Sequence, residues 1–504
     1  MNDRQVGDRQ KSMLPETAPA SPTQGMSGAI PLGSRHSSAL RSAWRVWKRQ
    51  GSRTVARKVL VRLIRPLARR YQALFVRNIP WKPDDRPVFL LISHASGGGT
   101  QKHVDELRLR LCQENVRPLV IRPEGAQGLC WEERDSRGKL VWCRLTGVSR
   151  TEIDYQLGLL RPVHVHIHHM MGHSPVLLDR IKARRLSIDW TIHDYHGICP
   201  RIHLHDKNGE YCGEPGEEGC NHCLKTLGSY HGQPFEGDIK TWRGDFVSRV
   251  QGARRVFVPS ADVARRLNRF IASENLTVRP HFEDLRGSRP VSQFHRRGEL
   301  VRVAVIGAIV NVKGSERLYA CAADARTRKL PLEFHVIGPT DRDRDFLCLG
   351  NVRVLGPYRD SDVYDHLERA QCHVALLPSV WPETFMYTLS VAMSAGFWTM
   401  CFDLGAQADR LRSWGHGRVL RLSTTPAEIN RGLLEAATKL GRSQTQAPAS
   451  VSEKYPQLLR DYYEFTAFDL KRMGVSSGEE RQIPAPHLTP RTQPSGRQQY
   501  QGDV

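Results

Sequence analysis

Glu383 stands in the loop Trp381-Pro-Glu-Thr-Phe-Met-Tyr387, between an apolar segment, Cys372 to Leu377, and a run to Gly396 that reads as a helix. A carboxylate there lies beside unpaired backbone donors, the N–H groups of Thr384, Phe385, Met386 and Tyr387. Those donors and the positive end of the helix dipole attract phosphate. Lys313, in Gly307-Ala-Ile-Val-Asn-Val-Lys-Gly314, follows another apolar segment. It can lie on a diphosphate as a compact positive charge, or it is a surface lysine in a Lys-Gly turn. Gly97, Gly98, Gly99 and Thr100 close one strand candidate and open a helix. Glycines there let backbone approach a ligand and offer donors to an anion. The loop has neither Gly-x-Gly-x-x-Gly nor Walker spacing, which argues against a nicotinamide enzyme or a P-loop NTPase.

Histidines and cysteines supply further candidates. His193 ends the segment Asp189-Trp-Thr-Ile-His. His164, His166 and His168 alternate and so share one face of a strand, where they can line a cleft, pack, or hold a metal. Cys199, Cys212, Cys220 and Cys223 fall in a Gly-rich insertion, 199-223. The closing Cys-x2-Cys suits one corner of a tetrahedral zinc site, and two single thiols could complete it; structural thiols without metal are the alternative.

These residues sit at the ends of regular elements. Strand candidates in the first half are Val88 to Ser93, Pro118 to Arg122, Val163 to His168, Trp190 to His193 and Arg255 to Pro259. In the second half they are Val301 to Ile306, Glu333 to Ile337, Asn351 to Leu355, Cys372 to Leu377 and Trp398 to Phe402. Helical runs lie between, such as Thr100 to Cys112 and Ser315 to Arg328. Near-continuous apolar strands alternating with helices predict parallel sheets covered on both faces. The pattern restarts at Val301 after a polar stretch, Glu283 to Glu299. The expected fold is α/β, two tandem Rossmann-like doubly wound domains with ligands in the cleft between them. The expected boundaries are a disordered tail over 1-40, a basic helical arm over 41-82, a first domain over 83-285, a second over 286-474 and a disordered tail over 475-504.

In order and spacing the motifs resemble those of retaining, family-4-type glycosyltransferases of the GT-B fold. The matches run from about residue 88 to 415. They include Gly97-Gly-Gly-Thr-x-x-His103-Val104, Val165-His-Ile-His-His169, Val256-Phe-Val-Pro-Ser260 and Asp403-Leu-Gly-Ala-Gln-Ala-Asp-Arg410. The resemblance implies that Glu383 and His193 approach the donor sugar, and that Lys313 and the backbone of 384 to 387 hold the diphosphate. Gly97 to Thr100 would line the opposite side of the cleft. It implies a nucleotide-diphosphate sugar donor, a polysaccharide or lipid-linked acceptor in cell-surface glycan synthesis, and no metal in the chemistry. The family's second Glu, which holds the ribose, falls here at Val391, and its loop Arg at Gly307. A non-catalytic glycosyltransferase-like binding protein is therefore the alternative reading.

Composition bounds the remaining classes. No apolar run reaches the ~20 residues of a membrane span, and no signal-peptide core opens the chain. Eleven cysteines without such a signal suggest a reducing, cytoplasmic setting. The net charge of +22 is uneven: residues 41 to 80 hold twelve Lys/Arg and no Asp or Glu. Apolar residues recur there at helical spacing. The segment reads either as an arm packed on the body or as a contact with an anionic inner-membrane surface, making the protein peripheral. Nucleic acid is not expected, because no recognition motif accompanies the charge.

Overall fold

The chain is described by a computed structural model over residues 80–125, 128–272, 274, 276–283, 287–439 and 455–475. The readings for both tails and almost all of the basic arm fall outside the described residues.

The apolar runs form two sheets. The first contains β1 (Val88–Ile92), β2 (Arg117–Glu124), β3 (Gly128–Arg134), β4 (Leu140–Gly147), β5 (His164–Ile167), β6 (Ser187–Thr191), β7 (Arg255–Val258) and β8 (Leu276–Val278), in the order β4-β3-β2-β1-β5-β6-β7-β8. Its strands are parallel except for the β2–β3 and β3–β4 pairs. The second contains β9 (Val301–Ile306), β10 (Leu332–Ile337), β11 (Val352–Val354), β12 (Val374–Leu377), β13 (Trp398–Phe402) and β14 (Gly417–Leu420). Its order is β11-β10-β9-β12-β13-β14, all parallel.

Strands buried on both faces need helices on both faces. Helices Arg150–Leu160 and Pro175–Ala183 cover one face of the first sheet through Leu157, Leu177 and Ile181. α1 (Gly99–Gln113) covers the other with Val104, Leu107 and Leu111. In both sheets the strand order reverses beside the first strand, between β1 and β5 and between β9 and β12. Crevices outside strand carboxyl ends at such reversals are where doubly wound sheets bind ligands. Gly97, His168, Lys313 and Glu383 all follow strands at these two points.

Two features differ from the sequence reading. β3 and β4 add an antiparallel hairpin that the pattern concealed. Glu132 and Glu133 look like surface residues but are buried, paired with Arg122 and Arg117. The segment Leu458–Arg472, assigned to the second domain, packs on the first sheet instead. There Leu458, Tyr462, Tyr463 and Phe465 cover Phe89, Leu91 and Phe257. Among the described residues no helix is long and apolar enough to cross a membrane.

Candidate functional site

Glu383 is 4% exposed, in the loop between β12 and α2 (Tyr387–Ser394). Its Oε1 accepts from Lys313 Nζ at 2.5 Å and from Ser379 Oγ at 2.9 Å. The loop is held from behind by α3 (Gly405–Trp414). Glu383 N–H donates to Gln407 Oε1 at 3.1 Å, and its carbonyl accepts from Ala406 N at 2.8 Å. Gly405, at φ +59°, must be glycine: a Cβ there would lie 2.6 Å from Glu383 N and O. Arg410 donates to the carbonyls of Phe385 and Met386 at 2.8 and 3.1 Å and to Ser390 Oγ at 2.6 Å. It also lies 3.6 Å from the buried Glu283 carboxylate. Burial pushes that carboxyl up, and Arg410 opposes the shift.

Met386 caps α2 in the left-handed region, φ 64°, and no side chain bonds to the helix end. Gly98, at φ +90°, begins α1 in the same uncapped way. Ser149, Ser174, Asp238 and Ser260 do cap their helices with side-chain oxygens. Two helix ends with open donors therefore bound the cleft, which fits an anionic ligand. A Cβ at Gly99 would touch the Tyr387 ring at 3.4 Å, while none at Gly97 or Gly98 would meet an atom within 4 Å. Thr100 is buried at the start of α1. Thr384 Oγ1 donates to the His193 carbonyl at 2.7 Å, so the loop from the second sheet closes onto the end of β6.

His193 is nearly buried, and its Nε2 lies 3.0 Å from His168 Nδ1. His166 bonds to Thr191 Oγ1 and Tyr463 Oη, both at 2.7 Å, and His164 lies 3.2 Å from Asp189. The three alternating histidines do share one face, the one covered by the C-terminal segment. Burial holds His166, His168 and His193 far below the usual imidazole range.

Gly307, at φ +113°, cannot be replaced by an Arg without disruption. Its Cβ would sit 3.0 Å from Thr388 Cγ2, and its carbonyl lies where a Cβ on Gly338 would be. Val391 is half-buried against the core between β9 and α2.

Cys199, Cys212, Cys220 and Cys223 share one neighbourhood outside this cleft, and burial pushes the Cys199 and Cys212 thiols up to about 12 and about 11. Among the described residues they form no group of three with ligand atoms in metal range. Cys220 Sγ donates to the Pro215 carbonyl, and Arg243 donates to Cys220 Sγ at 3.4 Å. The sequence reading did not include Ser379, Gln407, Arg410 and Glu283. Only Gln407 and Arg410 had a signal, the segment Asp403 to Arg410 after the Glu383 helix; Glu283 read as the start of a polar linker but is buried.

No known family model and no curated protein matches the chain. Solved structures do. Sucrose-phosphate synthase from Thermosynechococcus elongatus superposes with a TM-score of 0.52 at 14% identity, over 75% of this chain and 100% of that one. A glycosyltransferase from Rickettsia africae ESF-5 gives 0.51 at 10% identity, over 76% and 100%. At such identities the likeness establishes the fold, two doubly wound units of GT-B type.

Proposed function

We propose that the chain is a retaining glycosyltransferase that moves a sugar from a nucleotide-diphosphate donor to a glycan or lipid-linked acceptor of the cell surface. The observation that carries this reading is the Lys313–Glu383 pair beside the open α2 end, in the loop whose Thr384 bonds to the His193 carbonyl. An incoming diphosphate takes Lys313 and the backbone donors of α2, and this frees Glu383 to accept from donor-sugar hydroxyls. His193 borders the sugar from the opposite wall. Fixed donors aimed at the departing diphosphate stabilise charge as it develops, without a covalent nucleophile. The acceptor then attacks on the face the leaving group vacates. Thermal shift against a panel of nucleoside diphosphates and their sugars is the test. A ligand at 100 times its Kd adds about 2.7 kcal/mol, and no response to any of them would remove the reading.

Val391 and Gly307 favour the second reading, a non-catalytic glycosyltransferase-like protein that binds a partner or a lipid surface. Val391→Glu tests whether only the ribose contact has been lost. A carboxylate one turn into α2 can accept from both ribose hydroxyls. The expected result is tighter binding of a nucleoside diphosphate in calorimetric titration. Equal or weaker binding would mean that the pocket has repacked around the apolar side chain.

The segment 41–80 belongs to the same proposal as the means of reaching lipid-linked acceptors. Each basic residue near an anionic leaflet contributes ~1 kcal/mol, screened by salt. Sedimentation with phosphatidylserine vesicles should be strong at low salt, weak at high salt and absent once residues 1–80 are removed. An intact chain that ignores vesicles, with a deletion that lowers Tm, would instead make the segment a packed arm.

A further inference from the structure

We propose that His103, His168 and His193 form a binding site for one divalent ion of the zinc type at the floor of the cleft. One nitrogen from each ring lies within 4.8 Å of the other two. The rings come from three elements: α1, the end of β5 and the end of β6. His281 adds a fourth imidazole, its ring centre 4.2 Å from that of His103 and 4.7 Å from that of His193.

Packing alone does not account for the cluster. Both nitrogens of His103, Nε2 of His168 and Nδ1 of His281 are buried without a hydrogen-bond partner. A neutral imidazole always carries one N–H donor and one acceptor. Buried polar groups are normally paired, so several unpaired in one place need an explanation. A sugar hydroxyl cannot supply it, because His103 is 0% and His168 1% exposed. A cavity of about 70 Å³ is lined in part by two of the rings, His168 and His193, and by Asp194.

The chemistry also fits. Imidazole suits zinc, and a metal ligand must be neutral. Burial holds His103 down at about 3 and keeps the other three rings well below the usual range. Zinc–nitrogen bonds of about 2.0–2.1 Å need ligand atoms roughly 3.4 Å apart, so displacements of up to about 1.4 Å, from 4.8 Å to 3.4 Å, close the site. His193 can bind the ion through one nitrogen and keep the other for the cleft. The ion ties α1 to two strand ends and has a structural role. The site goes beyond the transfer reading and does not depend on it.

The test uses the full chain, stripped with a chelator, dialysed and titrated with Zn²⁺ or Co²⁺. The expected result is one ion per chain with a cobalt spectrum of nitrogen ligands, and a Tm that rises on zinc addition. The Cys220→Ser/Cys223→Ser protein keeps this ion. His103→Gln and His168→Gln weaken it by more than about 100-fold, beyond the 10–100-fold that loss of a merely supporting contact costs. Three results overturn the site: no tight ion in the unmutated chain, a cobalt spectrum with sulfur charge transfer only, or binding untouched by both histidine variants. The first leaves ordered water as the partner of these nitrogens. The cobalt spectrum of the unmutated chain decides the matter even if a histidine variant fails to fold.

Discussion

Glu383→Gln should lower turnover at least about tenfold, or ~1.4 kcal/mol of barrier, while the fold persists. The amide keeps the shape of the carboxyl and can still accept from Ser379 Oγ. It removes the negative charge that Lys313 meets at 2.5 Å. The loss should fall on kcat more than on the donor KM, because the diphosphate is held by Lys313 and the α2 backbone. An unchanged Tm by calorimetry separates this outcome from unfolding. Wild-type turnover in the variant would take Glu383 out of the chemistry.

Arg410→Met should be the most damaging single change to stability around the site. Arg410 is the cation beside Glu283, whose side chain is 5% exposed. Removing one partner of a buried pair costs about 3–5 kcal/mol, because the other charge is left in a poor solvent. The carbonyls of Phe385 and Met386 lose their donor at the same time. For a domain of this size a Tm lower by roughly 6–20 °C follows, at about 2–4 °C per kcal/mol. Arg410→Lys should recover only part of it, because an ammonium cannot reproduce the planar fork. A Tm within a degree or so of the parent would show that Glu283 is neutral and the contacts redundant. Nucleotide affinity, read in the same samples, should fall as the Met386 turn loosens.

The parts of the fold that could be read in advance are those whose burial is written locally. β1, β9 and β12 are apolar on both faces, so they announce a parallel sheet and, at their carboxyl ends, the Gly97, Lys313 and Glu383 loops. β3 carries Glu132 and Glu133 inside, where Arg122 and Arg117 neutralise them. A buried ion pair reads as surface when only one partner is in view, so the hairpin stayed hidden. Leu458 to Leu470 is apolar enough to be core, but nothing in its own residues says which sheet it covers. The same holds at the site. Glu383 is conspicuous, whereas Gln407 bonds to its backbone and Arg410 to the carbonyls of Phe385 and Met386 in the same loop, from more than 20 residues away and through contacts that only the fold creates. The four cysteines lie close in sequence and in one part of the fold, and among the described residues no three of their sulfurs fall within ligand range of one another.

The C-terminal segment also sets the timing of folding. His166 bonds to Tyr463 across 297 positions of sequence, and Glu114 accepts from the backbone of Leu458 and Leu459. During synthesis the first sheet is complete once Val278 has emerged, yet Phe89, Leu91 and Phe257 wait for Leu458 onward to cover them. At ~5–20 residues per second that interval lasts roughly 10–40 s. For that time the part of this face that α1 does not cover stays exposed on the ribosome, where a chaperone or an early-folding second sheet would protect the nascent chain more than the finished protein.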